Sequence, residues 1–376
     1  MNILVISENL PEEIGGMRLL YEILLAYTGN DEIDLICFEK EECKIILPDN
    51  IEFIPWTKAT YYKKNGSPFY KKFFIQKRLA NYRRYVVKAQ KYDAIVGFSY
   101  HNLAFNFEGF SGKYYNIAMD SAALLFLRGL INHTDIKLKL ACLIRLLQVI
   151  RTEKYVSKIS TCSYTVGVSD ANMYKYLFNS NAKYVPHPYN PNSDGKKAIV
   201  WNGEDKLRIC FAGALSHFYT GELLVEICNE FINKKDEFNN KVEFFFLGNC
   251  YCQDSLEKLK KAGYTVNTCA YAESFEDYLC NTHLLMVPLM VGAGTKNRVL
   301  NALSLGLDLI STSIGVENIQ GVKEQYIAND AEQFVSQLRL RLESKKLFNF
   351  SENEISELKK YHSGNQWKKL FWNEIL

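Results

Sequence analysis

Short apolar runs alternate with longer stretches in which apolar residues return every three or four positions, through both halves of the chain. Residues 3–7 form a β-branched apolar run and predict a buried strand. Residues 17–27 place Leu19, Leu20, Ile23, Leu24 and Tyr27 on one helical face. Residues 34–38, 52–55, 94–97, 115–118 and 165–169 predict further strands, and residues 137–157 a long helix rich in Leu and Ile with Lys and Arg between. Asp170 is placed to cap the helix after Ser169. The segment from Pro186 through Pro188, Pro191 and Gly195 then reads as a linker.

A second alternation follows. Strands are predicted at 207–212, 242–247, 264–267, 284–288 and 309–312, and helices at 221–233, 255–262, 274–282, 296–305 and 331–344. At 376 residues the chain is too long for one ordinary core. Two successive β/α series imply two doubly wound domains, with ligands beyond the carboxyl ends of the strands and a cleft between the domains as the place to bind. The expected division is 1–190, 191–360 and a terminal helix, 361–376, with Trp367, Phe371 and Trp372.

One unit of this pattern carries chemistry. After the apolar run 284–289 come Gly292, Ala293, Gly294, Thr295, Lys296, Asn297 and Arg298, and then a helix. Glycines let the backbone approach a ligand, the first free N–H groups of a helix point at it, and Lys296 and Arg298 add charge. Such a device holds phosphate; the alternative is an ordinary β–α turn with solvated cations.

Residues 287–313 resemble the signature segment of family 4 glycosyltransferases, nucleotide-sugar enzymes of the GT-B fold, and in particular the bacterial subgroup with a Gly-Ala-Gly-x-Lys-Asn-Lys/Arg turn. Residues 2–17, with Gly15 and Gly16, resemble that family's first strand and glycine loop, and residues 207–213 the strand that opens its second domain. The resemblance implies an α/β GT-B fold of two Rossmann-like domains facing across a cleft, the last helix crossing back onto the first. It implies transfer of a sugar from a nucleotide donor to a glycan or polyprenyl-linked acceptor, with retention of configuration and neither metal nor other cofactor. Bacterial surface polysaccharide or glycoconjugate assembly, in the cytoplasm or at the inner membrane face, is the setting it implies.

Carried over residue by residue, the donor site comprises Gly213, Gly292, Gly294, Thr295, Lys296 and Arg298, with Glu317 on a donor-side loop or simply solvated. Gly15 and Gly16 mark where phosphates meet the first domain; Arg18 reaches phosphate or solvent. Two departures stand out. A cation pair of many relatives is replaced by Ala214 and Thr220, which leaves more of the phosphate charge to Lys296 and Arg298. Two glutamates of many relatives are Ala293 and Asn301 here, so a ribose diol would meet an amide in place of a carboxylate. Asp120 is the candidate for orienting the acceptor hydroxyl or the transferred sugar, with a helix N-cap as the alternative because Ser121 and Ala122 can open a helix. His101, after a strand, is a candidate for facing the donor sugar; Arg128, Arg151 and Glu153 rank below Asp120.

Composition narrows the picture in three places. Residues 56–92 hold eleven Lys and Arg, ten aromatics and no acid. They suit an anionic membrane face, single-stranded nucleic acid through stacking and phosphate neutralisation, or a helical excursion, since Leu79, Tyr82, Val86 and Ala89 have helical spacing. A net charge of +3 makes no demand for nucleic acid, and no apolar run reaches membrane-spanning length. Ten scattered cysteines and six isolated histidines read as reduced thiols and no structural metal. Rival readings are an epimerase on the same fold, a phage-type glycosyltransferase acting on modified DNA, and a non-catalytic relative serving as a binding partner.

Overall fold

Strand β1 (Asn2–Ser7) shows how the first half is built: Ile3 and Val5 enter one buried cluster, Leu4 and Ile6 another. Alternate side chains therefore go to two covered faces, which is why the run is apolar throughout. The computed structural model describes residues 1–12, 17–63, 84–99 and 105–376. These residues fall into two compact units, the first comprising Met1–Leu127, Ala141–Pro188 and Ser363–Leu376, the second Arg128–Leu140 and Tyr189–His362.

In the first unit the remaining strands are β2 (Glu32–Cys37), β3 (Ile51–Phe53), β4 (Thr60–Tyr62), β5 (Tyr85–Lys88), β6 (Ala94–Phe98), β7 (Asn106–Glu108), β8 (Lys113–Met119), β9 (Cys162–Thr165) and β10 (Ala182–Tyr184). Six of them and β1 make a parallel sheet in the order β10-β9-β8-β6-β1-β2-β3. One face is covered by the helix Arg18–Leu25 and by Trp367, Phe371 and Trp372 of the chain's end; the Trp372 indole Nε1 donates to the Ile23 carbonyl at 2.7 Å. The other face carries Trp56, Val87, Tyr92 and Phe105.

The second unit repeats the plan with β11 (Leu207–Ala212), β12 (Val242–Leu247), β13 (Thr265–Cys269), β14 (Leu284–Val287) and β15 (Asp308–Ser311). All pair in parallel in the order β13-β12-β11-β14-β15. Leu207, Ile209 and Phe211 pack with the helices Leu223–Asn233 and Ala331–Ser344, while Cys210 and Ala212 pack with the helix Asn297–Ser304. Asp330 caps Ala331–Ser344 by accepting from the Gln333 amide at 2.8 Å. A fully buried Arg341–Asp308 pair, 2.6 Å apart, fixes that helix to β15.

Some local expectations need correction. The strand expected at 165–169 lies earlier, at β9, because the chain turns at Gly167 into a helix, Val168–Asn172. Asp170 is inside that helix, and its Oδ1 accepts from the Ser121 amide at 2.6 Å, so it serves a different helix. Val86 belongs to strand β5 and pairs with Tyr61, so the helical spacing read at Val86 is misleading. Leu79 and Tyr82, like most of the basic aromatic segment, lie outside the described residues. All ten cysteines are free thiols. Among the described residues no helix is long and apolar enough to cross a membrane.

Candidate functional site

In the second unit the strand order reverses direction between β11 and β14: β12 and β13 follow β11 outward on one side, β14 and β15 on the other. Loops leaving the carboxyl ends of two such strands part to opposite faces and open a crevice there. Gly213 ends β11, and residues 288–298 leave β14, so the turn singled out from the sequence lies at that crevice.

Two contacts fix the turn. Arg298 Nη1 donates to the Ala212 carbonyl at 2.8 Å, which draws the guanidinium across Gly213. A Cβ at residue 213 would sit 2.5 Å from Arg298 Cζ, and Gly213 has φ +96, so glycine is required there twice over. Burial pushes the Arg298 pKa down to about 10, which still leaves a full cation at neutral pH. Lys296, buried, is the residue before the helix Asn297–Ser304; its Nζ donates to the Gly294 carbonyl at 2.8 Å. Gly292 lies under it, since a Cβ there would be 2.8 Å from Lys296 Cε. Thr295 is buried and Gly294 has φ +60.

A third loop, after β15, completes the cluster. Thr312 Oγ1 donates to the Leu289 carbonyl at 2.6 Å, and Asn318 Nδ2 to the Gly294 carbonyl at 3.3 Å, so this loop lies on the turn. Glu317 on it stands 3.7 Å from Lys296 Nζ. Its two oxygens also accept from Arg128 at 2.7 and 2.8 Å, and Arg128 Nη1 donates to the Gly292 carbonyl at 2.7 Å. The arrangement is therefore a glycine turn bracketed by Lys296, Arg298 and Arg128, with one carboxylate, Glu317, partly neutralising the set. Cations held by carbonyls around a turn at a helix start suit an anion with several oxygens.

Asn301 is buried inside the second unit. Its Nδ2 donates to Glu276 Oε1 at 3.1 Å, and the same oxygen accepts from Asn190 Nδ2 at 2.7 Å. Asn301 Oδ1 is buried without a partner. Sequence reading missed Glu276 and Asn190. A carboxylate close to position 301 is thus supplied from another element.

In the first unit Asp120 is exposed and follows Met119, whose φ of +62 turns the chain out of β8. Ser121, not Asp120, opens the helix Ala122–Asn132: its Oγ accepts from the Leu124 amide at 3.2 Å. Glu153, fully buried, accepts from Ser121 Oγ at 2.9 Å and from the Ala122 amide at 2.6 Å. Burial pushes its pKa up to about 8, against those hydrogen bonds. Arg18 is buried and donates to the Pro188 carbonyl at 2.6 Å and to Glu22 at 3.2 Å. That guanidinium is tied into its own unit. Gly15, Gly16 and His101 lie outside the described residues. Arg151 is exposed. Arg128, ranked low from the sequence, is the addition that geometry makes; nothing local could reveal it, because its partner is 189 positions away.

Residues 206–344 match the profile of the family described as Glycosyl transferases group 1. No curated protein matches the chain in a sequence comparison. Among solved structures it is similar to HepE of Anabaena in complex with UDP, with TM-score 0.63 and 9% identity over 100% of this chain and 99% of that one. It is similar to the apo form of the lipopolysaccharide outer core galactosyltransferase WaaB, with TM-score 0.59 and 12% identity over 100% and 99%. Similarity to TarM has TM-score 0.55 and 12% identity, covering 74% of this chain and 54% of that one, so the chain spans about half of TarM's length. The fold is GT-B, with two Rossmann-like domains.

Proposed function

We propose that this chain is a retaining, metal-independent glycosyltransferase of family 4 that moves a sugar from a nucleoside-diphosphate donor to a glycan or lipid-linked glycan acceptor. The observation that carries the reading is the position of Lys296 and Arg298 at the strand-order reversal, inside the segment that matches the glycosyltransferase profile. Lys296, Arg298 and the amides that open the helix Asn297–Ser304 answer the charge of the departing diphosphate. Arg128 and Glu317 position Lys296 and the Gly292 carbonyl. Gly213 and Thr295 shape the donor pocket, and Asn301 acts through its bond to Glu276. Gly15 and Gly16 join the donor-binding set, and Asp120 orients the acceptor hydroxyl or the transferred sugar; transfer occurs on the donor's front face, the leaving phosphate helps to deprotonate the acceptor hydroxyl, and Arg18 and His101 are the weaker members on the acceptor side. The setting proposed is assembly of bacterial surface polysaccharide or glycoconjugate, in the cytoplasm or at the inner membrane face, with residues 56–92 as an acceptor-side contact.

The test is thermal stabilisation by UDP, GDP, CDP and dTDP, with UDP first because HepE is solved with it. A ligand at about 100 Kd adds about 2.7 kcal/mol to the native state. One diphosphate should raise the melting temperature, and Lys296→Ala should abolish the rise. A second reading, a non-catalytic relative, is favoured by Lys296 already meeting Glu317 and by Asn301 replacing a carboxylate. Failure of all four diphosphates would select it.

A further inference from the structure

The loop after β12 returns along β11 as a short extended piece: Cys250 bridges Leu215 in parallel, and the Tyr251 amide donates to the Leu215 carbonyl at 3.2 Å. Residues two apart on an extended chain point the same way. Cys250 and Cys252 therefore both enter the core that holds Phe211 and Phe246, while Tyr251 between them turns outward. Their sulfurs lie 3.0 Å apart with one thiol hydrogen between them. A third thiol, Cys228 of the helix Leu223–Asn233, enters the same core and hydrogen-bonds with Cys252.

We propose that Cys250 and Cys252 are a reversible oxidation site, closing to a disulfide under hydrogen peroxide. Burial selects the oxidant: Cys250 is 8% and Cys252 6% exposed, which admits a small peroxide and turns away bulkier disulfides. One sulfur, as thiolate, attacks a peroxide oxygen; the O–O bond breaks, and the departing oxygen takes up a proton to become water. The second sulfur then attacks the sulfenic acid, the S–S bond forms and a second water departs. The two thiols lose two electrons and two protons in all, and the peroxide is reduced to two waters. Contact with Cys228 pushes the Cys252 thiol up to about 12, and contact with Cys252 raises that of Cys250. Thiolate is therefore scarce at neutral pH, and the rate should climb on the order of tenfold per pH unit above neutrality.

The bond reaches the crevice. Closing to an S–S length of about 2.05 Å moves the residue between the two sulfurs. Tyr251 Oη donates to the Gly221 carbonyl, and its ring centroid lies 5.2 Å from that of His217. At the start of the same loop Gly248 rests on the Gly213 carbonyl, which a Cβ there would meet at 2.5 Å. Arg298 lies across Gly213. Oxidation should thus disturb residues 213–221 and weaken binding of a nucleoside diphosphate; this consequence rests on the sugar-transfer reading, whereas the thiol chemistry does not.

Mass spectrometry tests it on the full chain, treated with hydrogen peroxide while folded, quenched and digested with trypsin. Residues 242–258 form one peptide that carries both sulfurs. That peptide should lose about 2 Da, and dithiothreitol should restore them. Cys250→Ser and Cys252→Ser should each abolish the loss, and Cys228→Ser should leave it. No loss, irreversible oxygen addition, a cross-link to the peptide that carries Cys228, or a loss seen only in urea overturns the proposal. The map is read on the parent chain, so it decides even where a variant does not fold. For the coupling, the oxidised chain should bind diphosphate on the order of fivefold more weakly and recover on reduction. Bond formation with unchanged binding overturns the coupling and leaves the oxidation site standing. A reduced chain that binds no diphosphate counts against the sugar-transfer reading and removes the coupling with it, while the mass result still decides the thiol pair.

Discussion

Arg128 and Glu317 meet side by side, two parallel hydrogen bonds of 2.7 and 2.8 Å joining guanidinium to carboxylate, and Lys296 stands 3.7 Å from the same carboxylate. One acid thus serves two cations in a half-buried place. Glu317→Gln keeps the shape and removes the charge. Stability should fall by on the order of 1–3 kcal/mol, since the two cations lose their partner. The response to a nucleoside diphosphate should grow, because phosphate no longer competes with Glu317 for Lys296 and Arg128. Melting with and without ligand separates these effects; loss of the ligand response would instead assign Glu317 to direct donor contact.

Gly213 and Arg298 give a second test. Gly213→Ala places a methyl 2.5 Å from the guanidinium carbon at a φ of +96. The strain should cost on the order of 1–3 kcal/mol, and the displaced Arg298 should lower the diphosphate response. Gly195→Ala is the control: φ there is +75, with nothing within 4 Å of the new methyl, so only the backbone cost should appear. Equal ligand responses in the two variants would remove Arg298 from the site.

The turn at 292–298 was legible because its chemistry is local: strand end, glycines, cations and helix start all fall within residues 287–298. Most strands of the two larger sheets were legible too, since faces buried on both sides demand continuous apolar runs, but β9 was read three residues late and β10 not at all. What the chain order concealed is whatever is closed by distant partners. Arg128 finds Glu317 across 189 positions, and Glu276 finds Asn301 across 25 and Asn190 across 86. Strands β4, β5 and β7 escaped because three or four residues rich in Tyr, Val and Lys carry little period of their own. Asp170 shows the converse error, since a good capping residue was read locally and its carboxylate serves Ser121, 49 positions away.

Asn301→Glu restores the residue that the resembled family carries, and it should destabilise this chain. Glu276 Oε1 is 3.1 Å from the Asn301 amide nitrogen, and both residues are buried. A second carboxylate there would meet the first, costing roughly 2–4 kcal/mol or forcing one to take a proton. Glu276→Gln combined with Asn301→Glu should recover much of the loss, and a double-mutant cycle by chemical denaturation measures the coupling. If Asn301→Glu binds diphosphate more tightly with no loss of stability, Glu276 is not the partner that fixed this position.

Glu153 makes the first unit sensitive to pH in a predictable direction. Burial raises its pKa from 4.5 to about 8, although Ser121 and the Ala122 and Ala123 amides favour the ionised form. Below the unfolded value both states hold the proton, and the contribution is fully present. Between about 4.5 and about 8 the folded chain holds a proton that the unfolded chain has released, so stability falls as pH rises, by on the order of 1 kcal/mol per pH unit. Glu153→Gln cannot titrate and should flatten that part of the profile. Urea unfolding followed by tryptophan fluorescence in a Trp201→Phe background reports on this unit, because the other three tryptophans, Trp56, Trp367 and Trp372, are all buried within it. The difference between parent and variant should change steadily from about pH 5 to about pH 8. Parallel profiles would mean that Glu153 is already ionised in the folded chain, held so by the helix start it caps.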